Sequence, residues 1–185
     1  PSLGFVGVCR SSTAHVDVDA ATAHGVLVVN TPGRNAQAVA EHALGLMLSL
    51  ARRIPAAHAY ISGGRWLDPV EPYMSMRGVE LSGRTVGIVG LGAIGRRLAS
   101  LCNGLGMRCI AFDPYVTDAP EGVTLSSLKN LLASADFVSL HAPVTPETEG
   151  LIGAEHLALM KPTAYLVNLS DAALVSEGPL VAALR

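Results

Sequence analysis

Thr85-Val86-Gly87-Ile88-Val89-Gly90-Leu91-Gly92-Ala93-Ile94-Gly95-Arg96-Arg97-Leu98-Ala99 decides the fold of this 185-residue chain. An apolar strand pattern runs into G-x-G-x-x-G, and a helical pattern follows at once. A second short strand pattern, Arg108-Cys109-Ile110-Ala111-Phe112, ends on Asp113, 18 residues past Gly95. Strand, glycine turn, helix, strand and acid in this order form the fingerprint of a dinucleotide-binding βαβ unit. Each glycine has a separate task. Gly90 lets the chain turn sharply out of the strand, Gly92 lets the backbone approach a pyrophosphate, and Gly95 lets the helix lie close on the sheet. The pyrophosphate would sit on the free N–H groups at the helix start, where the dipole favours negative charge. Asp113 would accept hydrogen bonds from the adenosine ribose. A carboxylate there repels a 2′-phosphate, and Pro114 and Tyr115 follow it rather than an arginine, so the expected cofactor is NAD.

From residue 85 onward the pattern is β-α repeated, with strands starting near Val86, Arg108, Phe137 and Ala164. Helices are expected near 94–104, 126–134, 153–160 and 176–185. This rhythm implies right-handed βαβ crossovers in a doubly wound parallel sheet, an α/β Rossmann fold. Four strands are counted there, against six in a complete fold of this type. Upstream, Leu3 to Val8 reads as a strand, Asp19 to His24 as a helix stopped by Gly25, and Val26 to Val29 as a second strand. Asn30-Thr31-Pro32-Gly33 is a breaker cluster, read as a domain crossing. Asn35 suits the N-cap of a helix over about 36–53. That helix is apolar around nearly its whole circumference, which implies burial on several sides and room for a partner subunit. Residues 54–80 read as irregular, with Trp66 as a packing anchor. The chain has no initiator Met and stops within a helical pattern, so it reads as a piece of a longer protein.

Composition narrows the function. Half of the residues are hydrophobic, so a sizeable core is available, and the net charge is −2 without any basic run. Nucleic-acid and membrane-surface binding therefore lack electrostatic support. The apolar run at 36–51 is short for a bilayer span and is interrupted by Glu41 and His42. Cys9, Cys102 and Cys109 are odd in number and lack C-x-x-C spacing, so they read as core hydrophobes in a reducing, cytoplasmic setting. His15, His24, His42, His58 and His156 read as surface or core residues. No histidine pair has metal-ligand spacing with a third ligand.

A wider set of residues carries a family resemblance. It comprises Val16-Asp17 with Ala20-Ala21, Asn30-Thr31-Pro32-Gly33-Arg34-Asn35 with Val39-Ala40-Glu41, and Gly90 to Gly95 with Asp113-Pro114. It continues through Ser139-Leu140-His141-Ala142-Pro143, Thr145-Pro146-Glu147-Thr148, Met160-Lys161-Pro162 and Val167-Asn168. In that order, over almost the whole chain, the set resembles the NAD-dependent D-2-hydroxyacid dehydrogenases, the group that includes phosphoglycerate and formate dehydrogenases. The resemblance implies that residues 1–32 end a flavodoxin-like substrate domain and that 33–185 form most of a nucleotide domain. It implies a homodimer through the helix at 36–53, and a small 2-hydroxy or 2-oxo acid as substrate. It implies nucleotide contacts at Gly90, Leu91, Gly92, Ala93, Ile94, Gly95, Asp113, Pro114, His141, Ala142, Pro143, Thr148, Leu169 and Ser170. It implies substrate contacts at Arg10, Ser11 and Ser12.

In this family hydride passes between nicotinamide and the carbonyl carbon of a 2-oxo acid. A histidine raised in pKa by a glutamate protonates the oxygen, and an arginine holds the substrate carboxylate. The glutamate and histidine are expected beyond Arg185. The arginine normally follows the fourth strand, in a pattern like V-N-T-A-R-G-G, but this chain has Val167-Asn168-Leu169-Ser170-Asp171-Ala172-Ala173. Two unit charges about 4 Å apart interact by roughly 4 kcal/mol at an effective dielectric near 20, so exchanging attraction for repulsion costs up to about twice that. The expectation is that Arg10 faces Asp171 across the cleft, pairing with it or taking over the anion. Three functions fit: a dehydrogenase, a non-catalytic NAD-binding module, and an inactive homologue.

Overall fold

The computed structural model describes residues 3–185. Its order is β1 (Phe5–Val8), α1 (Val18–Ala23), β2 (Leu27–Asn30), α2 (Ala36–Ala51), α3 (Ile54–Ser62), α4 (Val70–Ser75) and β3 (Thr85–Val89). α5 (Ala93–Gly104), β4 (Arg108–Phe112), β5 (Val123–Leu125), α6 (Leu128–Ser134) and β6 (Phe137–Leu140) follow. The chain closes with α7 (Ala154–Leu159), β7 (Tyr165–Asn168), a 3₁₀ turn (Ala172–Leu174) and α8 (Glu177–Ala183).

β1 and β2 pair in parallel as a two-stranded sheet, and the other five strands form a second parallel sheet in the order β5-β4-β3-β6-β7. Counted from the strand of the glycine turn, that order is 3-2-1-4-5, the doubly wound arrangement. The sheet has one strand more than the four expected. β5 is three residues long and pairs with β4 through Cys109↔Val123 to Ala111↔Leu125. Three residues carry too little alternation to be recognised from sequence.

β3 is buried at every residue, as a central parallel strand covered on both faces must be. Val86, Ile88, Leu98, Ala99, Cys102 and Phe137 pack on one face with Ala40, Ala43, Met47 and Ala51 of α2. Val89, Leu131, Leu132, Val138 and Leu140 pack on the other. The base of the sheet is held by Asp136. Its carboxylate accepts the Thr85 N–H at 2.8 Å and the Lys161 ammonium at 2.9 Å. Burial alone pushes the Asp136 carboxyl up, but Lys161, the Thr85 N–H and Arg84 outweigh it and hold the group below its ordinary value.

Several expectations need correction. α2 buries a single line of small residues and Met47, while Leu50 stays 42% exposed, so in this chain the helix is covered on one side only. The Asn35 side chain makes no capping hydrogen bond. The stretch at 54–80 contains α3 and α4. Both tolerate their prolines because Pro55 and Pro72 fall in a first turn, where no intrahelical acceptor is lost. Trp66 is 55% exposed and is not part of either buried core cluster among the described residues, so it is not the packing anchor expected. Cys9 is exposed, whereas Cys102 and Cys109 are core residues whose thiols burial pushes up to about 12 and about 11.

Candidate nucleotide site

The sequence-predicted nucleotide residues come together at the carboxyl ends of four adjacent strands, β4, β3, β6 and β7. The strand order reverses between β3 and β6, and in an open α/β sheet a ligand binds in the crevice at that reversal. Gly90 lies on the β3 side of it, and His141 and Ala142 on the β6 side. The fit is close. Gly90 has φ +93°, and a Cβ there would stand 2.8 Å from both the Ala142 nitrogen and the His141 carbonyl carbon. Only glycine meets both demands. A Cβ on Gly95 would overlap the Gly90 carbonyl oxygen and come 3.1 Å from Ile88 Cγ2, so the start of α5 is seated directly on the turn. Nothing lies within 4 Å of where a Cβ on Gly92 would be. The turn is thus packed from behind and open in front, next to the first N–H groups of α5, which no intrahelical carbonyl can reach.

Asp113 is tied to this turn. One carboxylate oxygen accepts the Leu91 N–H at 2.8 Å, and the other accepts the Tyr115 N–H at 2.9 Å. The acid therefore holds the loop in shape and still offers lone pairs to a ligand. Pro114 and Tyr115 are exposed beside it. The neighbouring seams are stitched by backbone bonds from Gly90 N–H to the Phe112 carbonyl at 2.8 Å and from His141 N–H to the Val89 carbonyl at 2.7 Å.

His141 is mostly buried, and burial pushes its imidazole down to about 4. Its Nε2 lies 2.8 Å from the hydroxyl of the fully buried Ser139. The ring is therefore neutral near pH 7. Thr148 uses its hydroxyl to close the following loop, donating to the Pro143 carbonyl at 2.7 Å and accepting the Thr145 N–H at 2.7 Å. Ser170 donates to the Ala142 carbonyl at 2.5 Å, tying the end of β7 to that of β6, and Leu169 packs against the core beneath.

Asp171 caps the 3₁₀ turn: its carboxylate accepts the Ala173 N–H at 2.9 Å, while its carbonyl accepts from the Asn168 amide at 2.7 Å. It forms no ion pair with Arg10 or with any other residue among those described, and the expected Arg10–Asp171 pair is therefore absent. Arg10, Ser11 and Ser12 lie in the loop after β1, exposed to solvent. Arg34, which the sequence reading passed over as a site residue, reaches the same loop and donates through Nε to the Cys9 carbonyl at 3.1 Å. Its place beside the breaker cluster was the available signal, since the chain passes there from one sheet to the other. A roomier hollow of about 1030 Å³ lies against β7, α7 and α8, lined largely by apolar side chains such as Leu157, Leu166 and Leu180. Of its few polar side chains, Lys161 is already bonded to Asp136 and the Asn168 amide to the Asp171 carbonyl, so the strand-end crevice is the better candidate.

Comparison with known proteins agrees with this geometry. Residues 44–185 match the family described as D-isomer specific 2-hydroxyacid dehydrogenase, NAD binding domain. D-3-phosphoglycerate dehydrogenase from Mycobacterium tuberculosis is 46% identical over 187 residues, covering 100% of this chain and 34% of that protein. D-3-phosphoglycerate dehydrogenase from Synechocystis is 40% identical over 186 residues, covering 99% of this chain and 33% of that protein. The NAD-complexed D-isomer specific 2-hydroxyacid dehydrogenase of Lactobacillus delbrueckii ssp. bulgaricus superposes with a TM-score of 0.84 at 30% identity. That match covers 98% of this chain and 54% of the other. The chain thus spans between a third and about half of the length of these relatives.

Proposed function

We propose, from the premise that the chain belongs to the D-isomer specific 2-hydroxyacid dehydrogenases and carries their NAD binding domain, that it serves a hydride transfer between NAD(H) and a 2-hydroxy or 2-oxo acid. The observation that carries this reading is the Asp113 carboxylate bonded to the Leu91 N–H beside the open face of Gly92. NAD, when bound, supplies or accepts the hydride at its nicotinamide ring. The residues of this chain would hold and orient it. The pyrophosphate would rest on the turn from Gly90 to Gly95 and the start of α5, and the ribose hydroxyls would donate to Asp113. His141, Ala142 and Pro143 would wall the crevice, together with Leu169 and Ser170. Thr148 would act by holding that wall in shape. Arg10, Ser11 and Ser12 would meet the acid from the loop after β1. We place the change of domain after residue 32, in keeping with the two separate sheets on either side of it.

A homodimer is part of the same reading. Leu50, Ile54, Ile61, Trp66, Tyr73 and Met74 leave an apolar surface along α2 to α4 that a second copy would cover. A cytoplasmic setting accords with three free cysteines, one of them exposed. Among the described residues no helix is long and apolar enough to cross a membrane.

Asp171 favours a second reading, an NAD-binding module without turnover. Its carboxylate caps a turn where the resemblance puts a substrate-holding arginine, and it would repel a substrate carboxylate. One experiment separates the two: NAD and NADH titrated into the full-length protein, with 2-oxo acids assayed in parallel. Binding with turnover supports the oxidoreductase, and binding without turnover supports the module. Absence of binding refutes both. A gain of activity in Asp171→Arg would mark this position as the one that limits turnover.

A further inference from the structure

Two cations meet at the loop after β1, Arg10 within it and Arg34 reaching it from the segment after β2. Arg10 and Arg34 line one small cavity of about 290 Å³ with Cys9, Ser11, Thr31 and Asn35. No carboxylate lies within 4.0 Å of either guanidinium among the described residues. The Nε of Arg34 is spent on the Cys9 carbonyl at 3.1 Å, which fixes the plane of the group. Neither its terminal nitrogens nor the Arg10 side chain has a hydrogen-bond partner among the described residues. The backbone around them is already locked. The Asn30 amide donates to the Ser11 carbonyl at 2.7 Å, and the Thr31 N–H donates to the Arg10 carbonyl at 3.2 Å. A guanidinium held by one edge, with the other edge free, presents the fork that matches an oxyanion. Holding it in place beforehand spares the ordering cost of binding.

The position of the cavity is as telling as its charge. A Cβ on Gly33 would stand 3.3 Å from the Ala93 Cβ, at the first residue of α5. The segment from Thr31 to Asn35, which supplies part of the cavity lining, therefore lies against the start of α5. An anion held in the cavity would sit near a nucleotide on the glycine turn that opens α5.

We propose that Arg34, assisted by Arg10, is the oxyanion anchor of this cleft, holding the carboxylate or phosphate group of the substrate on the β1–β2 side. That this anion is the substrate rests on the function proposed above; the anion site itself does not. This assignment gives the chain a cationic contact for an acid although the end of β7 carries Asp171.

The test uses the full-length protein and two probes, oxalate for a carboxylate and inorganic phosphate for a phosphoryl group. Binding is followed by calorimetry, with and without saturating NADH, in Arg34→Gln, Arg34→Lys and Arg10→Gln. The expected result is that R34Q weakens the preferred probe by about tenfold or more, R34K by less, and that NADH affinity is unchanged. The preferred probe identifies the group that the site takes. R10Q removes a side chain with no hydrogen bond among the described residues, so it should keep the melting temperature and still weaken the anion. If R34Q and R10Q leave anion affinity unchanged, or if neither probe binds at millimolar concentration, the assignment is overturned while NADH binding stands or falls by itself. Arg34-dependent anion binding without NADH binding would support the anchor and refute the nucleotide site.

Discussion

Replacing Asp113 by asparagine is the sharpest test of the nucleotide site, because the two residues have the same shape and differ in charge and in one acceptor. Both carboxylate oxygens of Asp113 accept a backbone N–H, from Leu91 at 2.8 Å and from Tyr115 at 2.9 Å. An asparagine amide has only one acceptor oxygen, so whichever way it is turned, one of these N–H groups meets an NH₂. Leu91 is 1% exposed, so water does not readily replace the lost partner. Leaving a buried donor unsatisfied costs about 1–3 kcal/mol. For a domain of this size each kcal/mol lowers Tm by about 2–4 °C, so a fall of roughly 2–12 °C is expected. The ribose hydroxyls would also lose a charged acceptor, which weakens NADH by roughly tenfold to a hundredfold. With the negative charge gone, discrimination against NADP should narrow. Thermal melts and NADH fluorescence titrations of the full-length protein would measure all three effects. A variant with unchanged Tm and unchanged NADH affinity would refute the assignment of Asp113 to both the turn and the ribose.

Three other outcomes follow from the same geometry. Gly95→Ala should lose about 1–3 kcal/mol of stability and most of the NADH affinity, because its Cβ has to displace the Gly90 carbonyl or lift α5 off the turn; chemical denaturation beside the titration would check it. The native His141 is held down at about 4, whereas in the unfolded chain it titrates near 6.5, so the unfolded state takes up a proton first as pH falls. Its contribution is complete above about pH 6.5 and is lost between there and about pH 4, amounting to about 3 kcal/mol at most. Stability measured from pH 7 to 4 should fall less steeply in His141→Gln, and an unaltered slope would contradict the burial argument. Asp136→Ala strands the buried Thr85 N–H and frees Lys161, so a loss of about 1–3 kcal/mol is expected with NADH affinity at 25 °C nearly unchanged.

Much of this molecule was legible in its sequence, because local structure is written in local patterns. The β-α rhythm after residue 85, the glycine turn and the acid after β4 each depend on residues within a few positions of one another. The long α2 announced itself by sixteen consecutive helix-compatible residues, although its apolar girth overstated how much of it this chain buries. Elements too short for a period, such as β5, or opened by proline, such as α3 and α4, were illegible for the same reason. Cys9 and Trp66 show a further limit: residue type states a preference for burial, and the neighbours available in the fold decide whether it is met.

The site divides along the same line. By itself the sequence determined that a dinucleotide turn exists, that an acid follows it at ribose distance along the chain, and that Asp171 occupies the end of β7. The tertiary structure alone decided how these groups are used. It placed both oxygens of Asp113 on backbone N–H groups, set Gly90 against His141 and Ala142, and turned Asp171 to the Ala173 N–H, away from any pairing with Arg10. It also brought Arg34 to the carbonyl of Cys9, 25 residues earlier in the chain. Such partnerships depend on which strands become neighbours and in what register, and that is a property of the folded chain as a whole.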